Sequence, residues 1–324
     1  MRLLKKQFNF IGTKMKLISI VTPCYNEEEN VEEIYKQVKE LFKAKLKSYK
    51  YEHIFIDNAS TDKTVSILKE IAAKDKKVKI IINARNFGHI RSPYHALLQA
   101  KGEAVILIVS DLQDPVNLIQ DFILEWEGGY KIVAGVKNNS MESPIFFFIR
   151  KMYYHLIGKL SDIQLIKNFT GFGLYDKQII EIMRKIDDPY PYLRGLISDI
   201  GFEVKKIPYV QPVRTRGFTK NNFYTLYDIG MLGITNHSKI PLRFATFAGF
   251  ILGSFSFLMA LIQLILKIFL WDSYSFGITT IVIGIFFFSS VQLFFIGIIG
   301  EYIGSIHTQV LKRTIVIEKE RVNF

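Results

Sequence analysis

Short apolar runs alternate with amphipathic stretches along the first third of the chain. Leu17 to Thr22, Tyr51 to Ile56, Val78 to Ile82 and Ala104 to Val109 are the runs. Between the first two, Val31, Ile34, Val38 and Leu41 recur at helical spacing within Glu27 to Lys43. Thr64 to Ala73 and Ser92 to Ala100 show the same habit. Strands without polar alternation are covered on both faces. Strands that alternate with helices form a mostly parallel sheet. The pattern therefore predicts an α/β domain with helices on both sides of the sheet.

Each apolar run ends in polar residues. Pro23-Cys24-Tyr25-Asn26-Glu27 follows the first and Asp57-Asn58-Ala59-Ser60-Thr61-Asp62 the second. Arg85-Asn86 comes shortly after the third, and Ser110-Asp111-Leu112-Gln113-Asp114-Pro115 follows the fourth. In open parallel sheets ligands bind beyond the carboxyl ends of the strands. Four strand ends that deliver polar groups to one edge predict a cleft there. The chain has neither G-x-x-x-x-G-K-[ST] nor G-x-G-x-x-G, so the cleft is not a P-loop or dinucleotide site by motif. Asp111 and Gln113, alternate residues past a strand, offer two hard oxygens. Mg²⁺ commonly takes one or two protein oxygens and completes its shell with phosphate oxygens and water.

The pattern changes near the C-terminus. Phe244 to Leu266, 23 residues, and Ser273 to Gly300, 28 residues, contain no charge. Each exceeds the ~20 residues that span a hydrocarbon core. The short turn between them carries Trp271 and Tyr274, residues suited to the interface. Lys239 and Arg243 precede the first span, and Lys312 and Arg313 follow the second. The positive-inside rule places both outer ends, and the long N-terminal region, in the cytoplasm. Phe223, Leu226, Tyr227, Gly230, Met231 and Ile234 recur at helical spacing before the first span and predict a helix lying in the interface.

Composition narrows the classes. Of 324 residues 49% are hydrophobic, and 42 Lys and Arg against 30 Asp and Glu leave a net charge of +12. The basic excess fits an anionic membrane or phosphorylated ligands, and no zinc-finger or RNP-type signature points to nucleic acid. A single cysteine, Cys24, excludes an internal disulfide and reads as a small buried residue. Arg2, Lys5 and Lys6 are not followed by an apolar core of signal-peptide length. Residues 1–15 read as an extension, with Met15 as an alternative start.

The segments SIVTPCYNEEENV, FIDNASTDKT, NARNFGH, SDLQDP, NFTGFGLYD, RTRGFTK, KIPLRFATFAGF and GEYIG, in this order, resemble the inverting glycosyltransferases of family 2 that use polyprenyl phosphate as acceptor. These are the bactoprenol glucosyltransferase and dolichyl-phosphate mannose synthase relatives. The resemblance covers nearly everything from Lys16 onward. It implies a Rossmann-like GT-A domain followed by a two-helix transmembrane hairpin. The expected organisation is an extension at 1–15, the catalytic domain at 16–212, and a basic segment with the interfacial helix at 213–240. Transmembrane helices at 241–270 and 277–304 and a cytoplasmic tail at 305–324 complete it.

By the same resemblance Pro23, Tyr25, Glu27, Asp57 and Arg85 bind the nucleotide. Asp111 and Gln113 hold a divalent Mg²⁺ or Mn²⁺, and Asp111, Arg214, Arg216 and Lys220 serve catalysis, the last three on phosphates. The implied reaction moves a hexose, glucose from UDP-glucose as first choice, onto undecaprenyl phosphate at the cytoplasmic face of a multi-pass membrane protein. The lipid-linked sugar then serves cell-envelope glycan modification, and a homo-oligomer is plausible. A mannose- or amino-sugar-specific member, a processive polysaccharide synthase and a non-catalytic partner subunit are the rivals.

Two positions depart from the family. Val109 stands where its first metal-site Asp falls, and no acidic residue stands near Gly171, where many relatives carry a candidate base. A sugar hydroxyl needs a base to remove its proton. A phosphate monoester, with a second pKa of about 6, is already largely dianionic at neutral pH. The missing carboxylate therefore favours a phosphate acceptor. Asp176 reads as structural.

Overall fold

A computed structural model describes residues 15–138, 165–212, 231–235, 238–269 and 278–324. The chain forms two compact units: Met1–Met141 with Ile166–Thr219 and Thr314–Phe324, and Glu142–Leu165 with Lys220–Arg313.

The first unit begins with β1 (Leu17–Cys24), α1 (Val31–Ala44), β2 (Lys50–Asp57), α2 (Thr64–Lys74), β3 (Val78–Asn83), α3 (Gly88–Gln99) and β4 (Ala104–Leu107). It continues with α4 (Leu118–Glu127), β5 (Ile132–Lys137), β6 (Phe169–Asp176), α5 (Lys177–Lys185), α6 (Leu193–Asp199) and β7 (Val204–Tyr209). A last strand, β8 (Glu318–Val322), comes from the far end of the chain. The eight strands form one sheet in the order β7-β5-β6-β4-β1-β2-β3-β8.

The predicted apolar runs are the parallel heart of this sheet. β1 pairs in parallel with β2 and β4, and β2 with β3. Their side chains alternate between two cores. Ile18, Ile20, Phe55, Ile80 and Ile106 pack with Val31, Ile34 and Val38 of α1, Leu68 of α2 and Phe122 of α4. Val21, Ile54, Ile56, Ile81 and Val105 pack on the other side with Tyr94 and Leu97 of α3 and Ile179, Ile180 and Met183 of α5. The chain runs outward from β1 through β2 to β3, then returns to lay β4 on the other side of β1. The order reverses between β1 and β4, and in open sheets of this kind the crevice that binds ligands lies beyond the carboxyl ends of the strands at that point.

The antiparallel half, β6 against β4 and β5, extends the sheet on the β4 side. The β3 edge is closed by β8, antiparallel, with Ile80 opposite Val322 and Ile82 opposite Glu320. This strand lies within the segment expected as a tail at 305–324 and joins the sheet of the first unit. Its sequence, Glu-Lys-Glu-Arg-Val, lacks the apolar alternation of a strand. The β3 ladder and its flanking helices make it one: Arg321 pairs with Glu318 in the same strand and with Gln99 of α3, Lys69 of α2 with Glu320, and Asn323 donates to the carbonyls of Ala72 in α2 and Val78 in β3.

The second unit holds α7 (Ile240–Phe269) and α8 (Ile278–Val310). At 1.5 Å per residue each is about 45 Å or longer, more than a ~30 Å hydrocarbon core. Ile240–Met259 and Gly284–Val310 are apolar and long enough to cross a membrane. Their large side chains stay exposed, Phe250 by 74% and Phe286 by 70%, a surface that water penalises and lipid does not. Within the hairpin the Tyr302 hydroxyl donates to the Ser238 carbonyl at 2.7 Å, and Phe244 faces Phe295.

Candidate active site

The four strand-end loops meet at the crevice and are laced to one another. After β1, Asn26 adopts φ +51. Its amide N–H donates to Ser60 Oγ, and its Oδ1 accepts from the Thr61 N–H, both at 2.8 Å. Glu27 donates its N–H to Thr64 Oγ1 and accepts from Asn30 Nδ2 on its carboxylate. The β1 and β2 loops therefore share a frame that carries Pro23, Tyr25 and Glu27, all half-buried.

Asp57 ends β2 and is fully buried. One carboxylate oxygen accepts from the Ser60 N–H at 3.0 Å, and Oδ1 has no hydrogen-bond partner. Burial raises its pKa, and the Asp62 carboxylate adds to the rise against the Ser60 bonds that lower it. A buried acceptor without a donor is costly unless a ligand supplies one.

After β3, Arg85 is exposed. Its guanidinium stacks 4.0 Å from the Phe87 ring centroid and donates to the Asn86 carbonyl. Arg91 approaches the same ring from 5.1 Å and donates to the Thr314 carbonyl on the returning tail.

β4 delivers the opening residues of the cleft. Ser110 Oγ donates to the Pro23 carbonyl at 3.0 Å, which ties this loop to the end of β1 across the switch point. Asp111 Oδ1 accepts from the Gln113 N–H at 3.1 Å. Between them Leu112 takes φ +59, a left-handed conformation that an ordinary side chain adopts only where its surroundings hold it. Asn26, Ala59 and Leu112, all with positive φ, lie past β1, β2 and β4. Backbone strain thus gathers at the cleft edge.

Asp114 is buried under that loop and accepts a 2.7 Å hydrogen bond from the Tyr209 hydroxyl on β7. Burial pushes its pKa up to about 6, partly offset by the Tyr209 bond. The native state therefore holds a proton that the unfolded chain, with a carboxyl pKa near ~3.9, releases earlier. This stabilisation is complete below about pH 4 and is lost as pH rises through 6. Asp114→Asn keeps the shape without the charge. Its melting temperature, compared with wild type in detergent, is expected to gain between pH 4.5 and 7.5, by the equivalent of about 2 kcal/mol. A difference that does not change with pH would show that Asp114 is not a buried acid.

Metal fit rests on the donor set. Asp111 and Gln113 carry a carboxylate and an amide oxygen two residues apart, and Gln113 Nε2 is directed at the Pro212 carbonyl 3.5 Å away, so Oε1 is the atom of Gln113 that would face a cation. Among the described residues no three His, Cys, Asp or Glu gather as a metal cluster. Two oxygens fit a hard cation that shares its shell with a diphosphate, and fit poorly a metal held by protein alone.

The Gly171 departure has a backbone reason. Gly171 adopts φ +104, and a Cβ there would meet Leu107 and Leu193 at 3.4 and 3.5 Å. An acidic side chain at that position would strain this backbone. Asp176 caps α5 by accepting from the Gln178 N–H and holds Trp126 Nε1 and Lys131, a structural role as expected. Cys24 is buried, and burial pushes its thiol pKa up. Arg214, Arg216 and Lys220 lie outside the described residues, as does most of the expected interfacial helix. The structure thus brings Pro23, Tyr25, Glu27, Asp57, Arg85, Asp111 and Gln113 to one sheet edge. The Asp114–Tyr209 pair and the asparagines around Asn58 are supports that sequence reading missed.

Strand ends that converge at a switch point, on a mixed sheet of this order, make up an α/β domain of GT-A architecture. Residues 19–182 match glycosyl transferase family 2, and the chain belongs to that family. It is 34% identical over 302 residues to a glycosyltransferase of Bacillus subtilis, YkcC, covering 92% of both chains. It is 32% identical over 297 residues to the SfII prophage-derived bactoprenol glucosyl transferase of Shigella flexneri, covering 91% of this chain and 95% of that one. A looser likeness, at 17% identity and a TM-score of 0.47, is to glucosyl-3-phosphoglycerate synthase from Mycobacterium tuberculosis, over 68% of this chain and 76% of that one.

Proposed function

We propose that the protein transfers a hexose from a nucleotide sugar, UDP-glucose as first choice, to polyprenyl phosphate at the cytoplasmic face of a membrane. The observation that carries this reading is a cleft with Asp57 and Asp111 on one sheet edge in a chain that continues into a membrane-length helical hairpin. The full-length relatives named bactoprenol glucosyl transferases support it. Asp57, with an unsatisfied buried oxygen, accepts from the N–H edge of the base, and Pro23, Tyr25 and Glu27 line the nucleoside. Arg85 lies over the phosphates.

The acceptor phosphate oxygen attacks the anomeric carbon from the face opposite the leaving group. The new C–O bond forms as the bond to the diphosphate breaks, with inversion. No protein base is required because the attacking phosphate is already ionised, and Gly171 is consistent with that. Asp111 and Gln113 would hold a divalent cation, which offsets the charge growing on the departing diphosphate. Arg214, Arg216 and Lys220 grip the lipid phosphate at headgroup depth. α7 and α8 cross the membrane, with the turn between them on the outer side.

The test is purified protein in detergent with Mg²⁺ or Mn²⁺, undecaprenyl phosphate and a panel of nucleotide sugars. Lipid-linked sugar is followed by mass spectrometry with a no-lipid control. One donor is expected to give lipid-dependent product. Binding of donor without product from any donor would overturn the reading and favour a partner subunit, with Val109 as the cause.

A further inference from the structure

We infer that Asn58 is the positioning residue that sets the Arg85 loop against the donor site. The inference rests on the reading of Asp57 and Arg85 as nucleotide ligands. Asn58 directly follows Asp57 and is 7% exposed. Its carboxamide makes four hydrogen bonds, every one to the single segment Asn83–Gly88. Oδ1 accepts from Asn83 Nδ2 at 3.0 Å and from the Phe87 N–H at 2.9 Å. Nδ2 donates to Asn86 Oδ1 at 2.8 Å and to the Gly88 carbonyl at 3.2 Å. The donor and acceptor capacity of the amide is used in full.

Among the described residues the segment it grips has no other side-chain clasp of this extent. Asn86 Oδ1 also accepts from the Gly88 N–H, and Asn83 Nδ2 also reaches Ser92 Oγ. Phe87, pinned through its N–H, is the ring on which the Arg85 guanidinium stacks. The chain of contact therefore runs from Asn58 through Phe87 to Arg85. A carboxylate at position 58 would turn acceptors toward Asn86 Oδ1 and the Gly88 carbonyl, so Asn and not Asp satisfies this pocket. Asn58 reaches no reacting atom. It fixes the distance between the group that reads the base and the group over the phosphates.

The test compares Asn58→Asp, Asn86→Ala and Arg85→Ala in the full-length protein in detergent. Donor affinity, donor KM, lipid KM and kcat are measured, with thermal melting as the fold control. Loss of two bonds in Asn58→Asp is expected to raise donor KM roughly tenfold or more, with lipid KM unchanged. Adding Arg85→Ala to Asn58→Asp should weaken the donor less than Arg85→Ala does alone. Asn86→Ala, which removes one exposed acceptor, should move donor KM the same way by less and serves if Asn58→Asp does not fold. If Arg85→Ala weakens the donor but the Asn58 and Asn86 variants change donor and lipid KM equally or not at all, the positioning role is overturned. If Arg85→Ala itself leaves donor affinity unchanged, the underlying assignment of Arg85 falls, and the inference with it.

Discussion

Asp111→Ala is expected to abolish sugar transfer, by a factor of about 10³ or more, while the protein still enters membranes and still melts cooperatively. The size follows from the loss of charge compensation where the leaving diphosphate develops its charge. Val109 offers no second carboxylate, so the residue two before Asp111 does not substitute for the one removed. Asp111→Asn retains an oxygen that accepts from the Gln113 N–H, and should keep more activity than Ala, with a higher requirement for Mg²⁺. Gln113→Ala should weaken metal response less than Asp111→Ala does. Turnover by Asp111→Ala at the wild-type rate would remove Asp111 from the site. The fold should be indifferent because Asp111 is half-buried in a loop and packs in neither core.

Deleting Thr314–Phe324 is expected to be the most destabilising change outside the cores. β8 closes the β3 edge, and its removal leaves the N–H and C=O groups of that edge unpaired and open to another chain. It also removes the Thr314 carbonyl from Arg91, Glu318 from His95, and the Asn323 amide from the carbonyls of Ala72 and Val78. The loss should exceed about 3 kcal/mol, since two backbone carbonyls and a strand edge give up partners at once. The truncated protein should melt far lower and aggregate on size-exclusion chromatography. Asn323→Ala isolates one part and should cost about 1–2 kcal/mol. Donor affinity should fall in the truncation, because Ala84 N–H, one residue before Arg85, donates to the Ile317 carbonyl. Wild-type melting and donor binding after the deletion would show that β8 is dispensable.

The parallel half of the sheet and its cleft were legible because local pattern carried them. Val105 to Val109 is too apolar for a half-exposed strand, and a carboxylate directly after it is costly unless the strand ends at a cleft. The observed β4 stops at Leu107, and Ser110 just past it is tied to the Pro23 carbonyl. The hairpin was legible from the absence of charge alone. Less was visible in α3, expected from Ser92 but beginning at Gly88. The positive φ of Gly88 and the Asn58 bond to its carbonyl start it earlier than the apolar period suggests.

The amino-acid sequence by itself determined the βα alternation, the polar strand ends, the membrane-length spans and the family, because these are periodic or nearest-neighbour properties. Only the tertiary structure decided that β1 and β4 lie side by side at the switch point and that Asp114 sits beneath the Asp111–Gln113 loop on Tyr209. It alone showed that four bonds from Asn58 converge on one loop and that a charged pentapeptide after α8 is a strand. These features join residues far apart along the chain, and their energy comes from partners that no local pattern names. Glu318–Val322 becomes a strand because β3 offers it an edge, not because of anything in its own five residues.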